Sequence, residues 1–144
     1  YDSKALICAC IDARNTQIFY AFYNYGQNNG SLPMRIGNYA ADAADKMCVE
    51  ALKILKEGGL SKIYFTGDGL IANRKLIRSI IGDEYYREGT AVNLLGRAAF
   101  AALLAEQCYT DSSDSSFFAP ENAEIYYLRT PKLTVKKISG GENS

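Results

Sequence analysis

The sequence has 144 residues, 48% hydrophobic and 22% charged, enough apolar material for one packed domain and too much for a disordered chain. Its 16 Lys and Arg balance its 16 Asp and Glu, so the whole-molecule field gives no reason to expect tight binding to nucleic acid or to an anionic membrane. It contains 0 histidines, which removes the commonest metal ligand and the commonest general base together.

No apolar run approaches the ~20 residues that span a bilayer, and no secretory signal is visible. The sequence opens without Met and almost inside its first strand, so a preceding segment is expected. Residues 6–25 read as a hairpin. An apolar run predicts a strand over Ala5–Ala13, and an aromatic and β-branched run predicts another over Gln17–Tyr25. The break Asp12-Ala13-Arg14-Asn15 suits a tight turn, since Asn tolerates positive φ. Phe19, Ala21 and Tyr23 alternate with Ile18, Tyr20 and Phe22. Both faces are apolar, which predicts a sheet covered on both sides.

Gly26–Ser31 is loop-like in composition, and a short third strand is expected around Met34–Asn38. The period then changes. Ala44, Met47, Cys48, Ala51, Leu52 and Leu55 recur at helical spacing, with Asp42 as N-cap or first-turn acid and Gly58-Gly59 as the stop. Lys46, Glu50, Lys53 and Glu57 fall on the opposite side, where i,i+3 or i,i+4 pairs form. Lys62–Thr66 reads as a buried strand, Leu70–Ile81 as a second helix, and Tyr85–Glu88 as a short last strand. Ala91–Cys108 is apolar on several faces and predicts a third, largely buried helix. Asp111–Ser116 is a polar loop, Ala123–Arg129 an extended tail, and Pro131 keeps the next segment out of any central strand. Gly140–Ser144 is expected to fray.

A strand after a helix implies a parallel crossover. The predicted class is α/β, a mixed five-stranded sheet flanked by helices. This element order is similar to the ribonuclease H-like fold shared by the lobes of actin-like and sugar-kinase-like proteins. Residues 1–131 form one such lobe in this reading and 132–144 a tail.

Few groups are suited to chemistry. Cys8, Cys10, Cys48 and Cys108 contain no CxxC pair and read as reduced thiols, Cys8 and Cys10 facing one way on a strand. Without histidine a serine-type triad is absent, and no Ser-x-x-Lys occurs. No catalytic residue and no metal ligand is therefore assigned. Asp12, Glu50 and Asp68 sit on the elements that carry the metal-binding carboxylates of ribonuclease H-like nucleases. At about 100° per residue, however, Glu50 lies about 130° from the apolar centre of its helix, on the solvent side. Gly67-Asp68-Gly69 joins a strand to a helix. It is either a tight turn with Asp68 as helix cap or an anion- or nucleotide-facing turn, because glycines admit a ligand to helix N-terminal amides. Neither GxGxxG nor a P-loop is satisfied. Tyr20, Tyr23, Tyr25, Tyr126 and Tyr127 read as core or sheet surface, or as stacking groups.

Four segments, in order, resemble one family. IDARNTQIFYAFYNYG resembles the "IDAR…E-V-Y-A-A-L-Y" hairpin of TsaB-type proteins, also called YeaZ. Gly67-Asp68-Gly69 is similar to that family's "GDG-A" turn, with Leu70 in place of Ala. Val92–Gln107 resembles its Ala/Leu-rich helix. Pro120 … Tyr127-Leu128-Arg129-Thr130-Pro131 resembles its terminal "P…Y-L-R-x-P". The resemblance is to the family's C-terminal lobe; the N-terminal lobe, with its "IDTS" strand and "GPGSFTGLR" segment, is not in this sequence.

The resemblance implies a non-catalytic accessory subunit of tRNA threonylcarbamoyladenosine synthesis at adenosine 37. By the same resemblance the partners are a TsaD-type transferase and a TsaE-type ATPase, with homodimer formation and only indirect contact with tRNA. It implies a cytoplasmic location and no cofactor of its own, ATP entering only with the full complex. Tyr127, Leu128 and Arg129 would dock on another lobe. The family's old glycoprotease label finds no support in these residues. Two other expectations stand beside it: an actin-like or sugar-kinase-like ATP-binding lobe with Gly67–Gly69 near the nucleotide, and a metal-dependent nuclease.

Overall fold

The opening hairpin forms the middle of the sheet. In the computed structural model, which describes residues 4–26, 32–90, 94, 98–111, 119–122 and 128, β1 (Ala5–Asp12) pairs antiparallel with β2 (Gln17–Asn24). β2 in turn pairs antiparallel with β3 (Met34–Ala43), and on the other side β1 runs parallel to β4 (Lys62–Thr66). A three-residue β5 (Tyr86–Glu88) runs parallel to β4, giving the order β3-β2-β1-β4-β5. The protein is thus α/β with a five-stranded mixed sheet, as the element order predicts.

The β1–β2 connection is tighter than its composition suggests. Arg14, Asn15 and Thr16 all take left-handed backbone angles, with φ of 61°, 51° and 64°. Ala13 N–H donates to the Gln17 carbonyl at 3.0 Å, and Gln17 N–H to the Arg14 carbonyl at 3.1 Å. Asn accepts such angles readily; Thr, branched at Cβ, does not. Thr16→Gly is therefore expected to stabilise the fold by roughly 0.5–1 kcal/mol, the relieved strain exceeding the added freedom of the unfolded chain. Urea midpoints check it. A lowered midpoint would mean that the Thr16 hydroxyl, which donates to the Asn15 carbonyl at 2.5 Å, outweighs the strain.

β3 runs five residues beyond its predicted end. Tyr20 pairs with Ala40 but Phe22 with Ile36, so β3 carries extra residues at a bulge around Gly37, whose φ is 72°. Gly37 lets this edge strand bend and continue rather than ending it. β3 then passes directly into α1 (Ala44–Glu57). Asp42 is not the N-cap: that position is Ala43, with no side-chain cap bond. Asp42 instead accepts from the Ala43 N–H at 2.9 Å and pairs with Lys46 at 3.1 Å, and these contacts hold its carboxyl below the usual carboxylate range. Lys53 pairs with Glu57 at 3.9 Å.

α1 and α2 (Gly69–Ile81) pack on one face of the sheet. Met47, Cys48, Ala51 and Leu55 of α1 and Leu70, Ile77 and Ile81 of α2 close over Leu6, Cys8, Cys10, Ile18, Tyr20, Phe22, Ile63 and Phe65. Cys8, Cys10 and Cys48 are free and buried here, and Cys108 is free and half-buried. Burial pushes the Cys8 thiol up, with Cys10 adding to it, and pushes Cys48 up to about 12. Both remain protonated at neutral pH and behave as small apolar groups.

The sheet face away from α1 and α2 is covered only in part among the described residues, with Ala5 and Ala21 on it buried. Ile7, Ala9, Phe19, Tyr23 and Tyr64, on the same face, are only half-buried, and Ile11 is 59% exposed. Of the third helix expected over Ala91–Cys108, Leu94 is buried in the core, residues 91–93 and 95–97 lie outside the described residues, and the remainder is largely exposed. α3 spans Ala98–Asp111 and contributes nothing to the core cluster; its Phe100, Leu103 and Leu104 are 50%, 59% and 48% exposed. Its sequence is apolar on several sides over Ala98–Ala105 and polar beyond, with no periodic face to mark a buried side. No helix among the described residues is long and apolar enough to cross a membrane.

Candidate functional site

Two turns meet where β1 and β4 end side by side. These strands are parallel, and the crevice outside their carboxyl ends is where open α/β sheets usually present ligands. The first turn is Ala13–Thr16. The second is Gly67-Asp68-Gly69, which leads from β4 into α2.

The second turn lies against the backbone of the first strand. Gly67 has φ of 96°, and a Cβ built there would sit 2.0 Å from the Cys10 carbonyl oxygen. A Cβ on Gly69 would sit 2.9 Å from the Ile11 carbonyl carbon. Close strand-to-turn approach thus accounts for both glycines. Asp68 does not cap α2 with its side chain. Its Oδ1 accepts instead from the Asp12 N–H at 3.1 Å, across the two turns. Asp12 Oδ1 accepts from the Arg14 N–H at 2.8 Å, an Asx-type turn that fixes the tip of the hairpin. Cys10 Sγ donates to the Thr66 carbonyl at 3.1 Å and ties the same strand ends together.

The structure therefore brings Asp12 and Asp68 together and leaves Glu50 apart. Glu50 is exposed, as the helix phase requires, and its Oε2 accepts from the Tyr20 hydroxyl at 2.7 Å. Among the described residues no group of three or more potential metal-ligating side chains converges. Of the tail residues, Leu128 is half-buried; Tyr126, Tyr127, Arg129, Pro131 and residues 132–144 lie outside the described residues.

Sequence reasoning missed two tyrosine–carboxylate pairs. One is Tyr20–Glu50. The other is Tyr86, whose hydroxyl donates to Glu88 Oε1 at 2.6 Å while Arg74 Nε lies 3.0 Å from the same oxygen. No local pattern signals the first pair, because its members are 30 residues apart. A shallow cleft of about 330 Å³ at the opposite end of the sheet, lined by Asn24, Ile36, Ile54, Glu57, Gly58 and Leu60, was likewise invisible in the sequence.

The tyrosines carry a pH prediction. Burial first, then the bonded carboxylate, raises both phenols above their ordinary value near 10. The neutral, donating form is thus favoured in the folded state. Stability is full below pH ~10 and falls as pH rises beyond it, by up to about 1.4 kcal/mol per pH unit for each tyrosine that ionises only in the unfolded chain. Tyr20→Phe should flatten part of that alkaline slope in denaturation curves taken between pH 9 and about 12. An unchanged slope would refute the assignment to Tyr20.

No protein-family model matches the chain, and no curated protein is significantly similar to it.

Proposed function

We propose that this chain is a ribonuclease H-like lobe of a TsaB-type accessory subunit. In that reading it acts in the cytoplasm with a TsaD-type transferase and a TsaE-type ATPase to form threonylcarbamoyladenosine at adenosine 37 of tRNA, and performs no chemistry itself. One observation carries the reading. Two of the segments on which the resemblance rests, Ile11–Arg14 and Gly67–Gly69, are 56 residues apart yet bonded through the Asp12 N–H and Asp68 Oδ1. The contact follows from the parallel pairing of β1 with β4, an arrangement that suits such a lobe. The five-stranded mixed sheet is compatible with such a lobe.

Gly67–Gly69 facing a nucleotide is the second reading, supported by the turn's place at the carboxyl ends of two parallel strands. The close approach of both glycines to β1 supports the scaffold reading more, since it gives them a packing role without a ligand.

Deletion of the gene tests the scaffold reading. The expected result is loss of threonylcarbamoyladenosine from total tRNA, restored by the intact gene, together with co-purification of a TsaD-type subunit. Unchanged nucleoside levels in a cell with no second such gene would overturn it.

A further inference from the structure

The sheet has two edges of unequal length. β5 at one side has three residues. β3 at the other has ten, and among the described residues no strand pairs with its outer side. The outward N–H and C=O groups of such an edge are a template for a further strand. The bulge at Gly37 bends this one. Main-chain bonds alone therefore hold an added strand poorly, and side chains decide what binds.

A different contact is offered on each face of the edge. On the helix side, Ile36 pairs with the buried Phe22 and lines the shallow cleft together with Ile54 and Leu60. The charged residue in that lining is Glu57, at the end of α1. The cleft thus suits an apolar side chain and repels an acid. On the opposite face, Arg35 sits across the ladder from Tyr23. Its guanidinium lies over the Tyr39 ring, 4.2 Å from the centroid, and Tyr39 is hydrogen-bonded with Tyr23. Arg35 is exposed and forms no ion pair among the described residues. Stacking fixes the plane of its fork and leaves N–H groups to meet a carboxylate.

We infer that the outer edge of β3 docks an extended acidic segment of a partner protein, which adds to the sheet as a further strand. Side chains alternate between the faces of such a strand. The residue opposite Ile36 enters the cleft and is apolar. Its neighbour opposite Arg35 is Asp or Glu. Glu57 on one face and Arg35 on the other determine which way the acid points, and a slip of one residue would reverse both contacts. The recognised pattern is therefore an apolar residue beside an acidic one in an extended chain. Main-chain bonds supply affinity and the two side-chain contacts supply selectivity. The inference rests on this edge and does not depend on the scaffold reading.

Fluorescence anisotropy on the purified full-length protein tests it with labelled peptides of about eight residues, long enough for one strand. One alternates valine with glutamate, one valine with lysine, and one serine with glutamate. The expected result is saturable binding of the valine–glutamate peptide, at least about tenfold tighter than either of the others. Arg35→Gln should bring the valine–glutamate and valine–lysine affinities within about twofold of each other. Arg35→Glu should reverse their order. Circular dichroism should be unchanged in both variants, because this side chain is exposed and outside the core. Amide exchange should show added protection on β3 between Met34 and Tyr39 when the valine–glutamate peptide is bound. Four outcomes each overturn the inference: no saturable binding of that peptide up to millimolar concentration, equal affinities for the three peptides, an order that survives Arg35→Glu, or binding without added protection on β3.

Discussion

Gly67→Ala is expected to destabilise the protein by at least about 3 kcal/mol, among the largest effects of any single methyl group added to this chain. Two costs combine. The residue holds φ at 96°, where an L side chain is strained by roughly 1–2 kcal/mol. The added carbon would also lie 2.0 Å from the Cys10 carbonyl oxygen, a backbone atom fixed between β2 and β4 that cannot rotate away. Either β4 must separate from β1 at its end, or the turn must move and release the Asp68 bond to the Asp12 N–H. Gly37→Ala is the internal control. Gly37 has a comparable φ of 72° but nothing within 4 Å of the new carbon. It should cost only the backbone strain, about 1–2 kcal/mol. Urea denaturation followed by circular dichroism separates the two. Equal losses would mean that the contact with Cys10 contributes nothing and that φ alone governs both sites.

The comparison of these glycines shows what the sequence could convey. Gly67-Asp68-Gly69 was legible as a strand-to-helix turn because a β run ended before it and a helical period began after it. Its reason was not legible, since the atom that excludes a side chain belongs to Cys10. Asp68 shows the same limit: helix caps are local and can be read from spacing, but this carboxylate serves a backbone group 56 residues away. Gly37 is a different case. The strand expected around Met34–Asn38 contains it, but it forms a bulge there and the strand runs on to Ala43. The periodicity of α1 told nearly everything, down to the solvent-side phase of Glu50, because burial against a sheet is written into the sequence every three or four residues. α3 carried no such phase. Its first two turns are apolar on several sides and its end is polar, so no single face is marked for burial.

Phe65→Ala should cost about 3–5 kcal/mol, the second large effect. Phe65 is fully buried on β4, under the helices, and its ring stacks on Tyr86 with centroids 5.5 Å apart. β5 has only three residues, and its position depends on that contact as well as on its ladder to β4. Truncation leaves a void that the surrounding strands fill poorly, since they are held in register on both sides of β4. It also loosens Tyr86, whose hydroxyl anchors Glu88, and with it the ion pair to Arg74 on α2. The damage should therefore reach the β5 edge more than the hairpin, and amide exchange would show it as lost protection at Ile63 and Gly89, whose N–H groups donate to the Tyr85 and Phe65 carbonyls. Phe100→Ala on α3 provides the contrast. Removing that half-exposed ring should change unfolding by no more than about 0.5 kcal/mol. A loss for Phe100→Ala as large as that for Phe65→Ala would place α3 within the core.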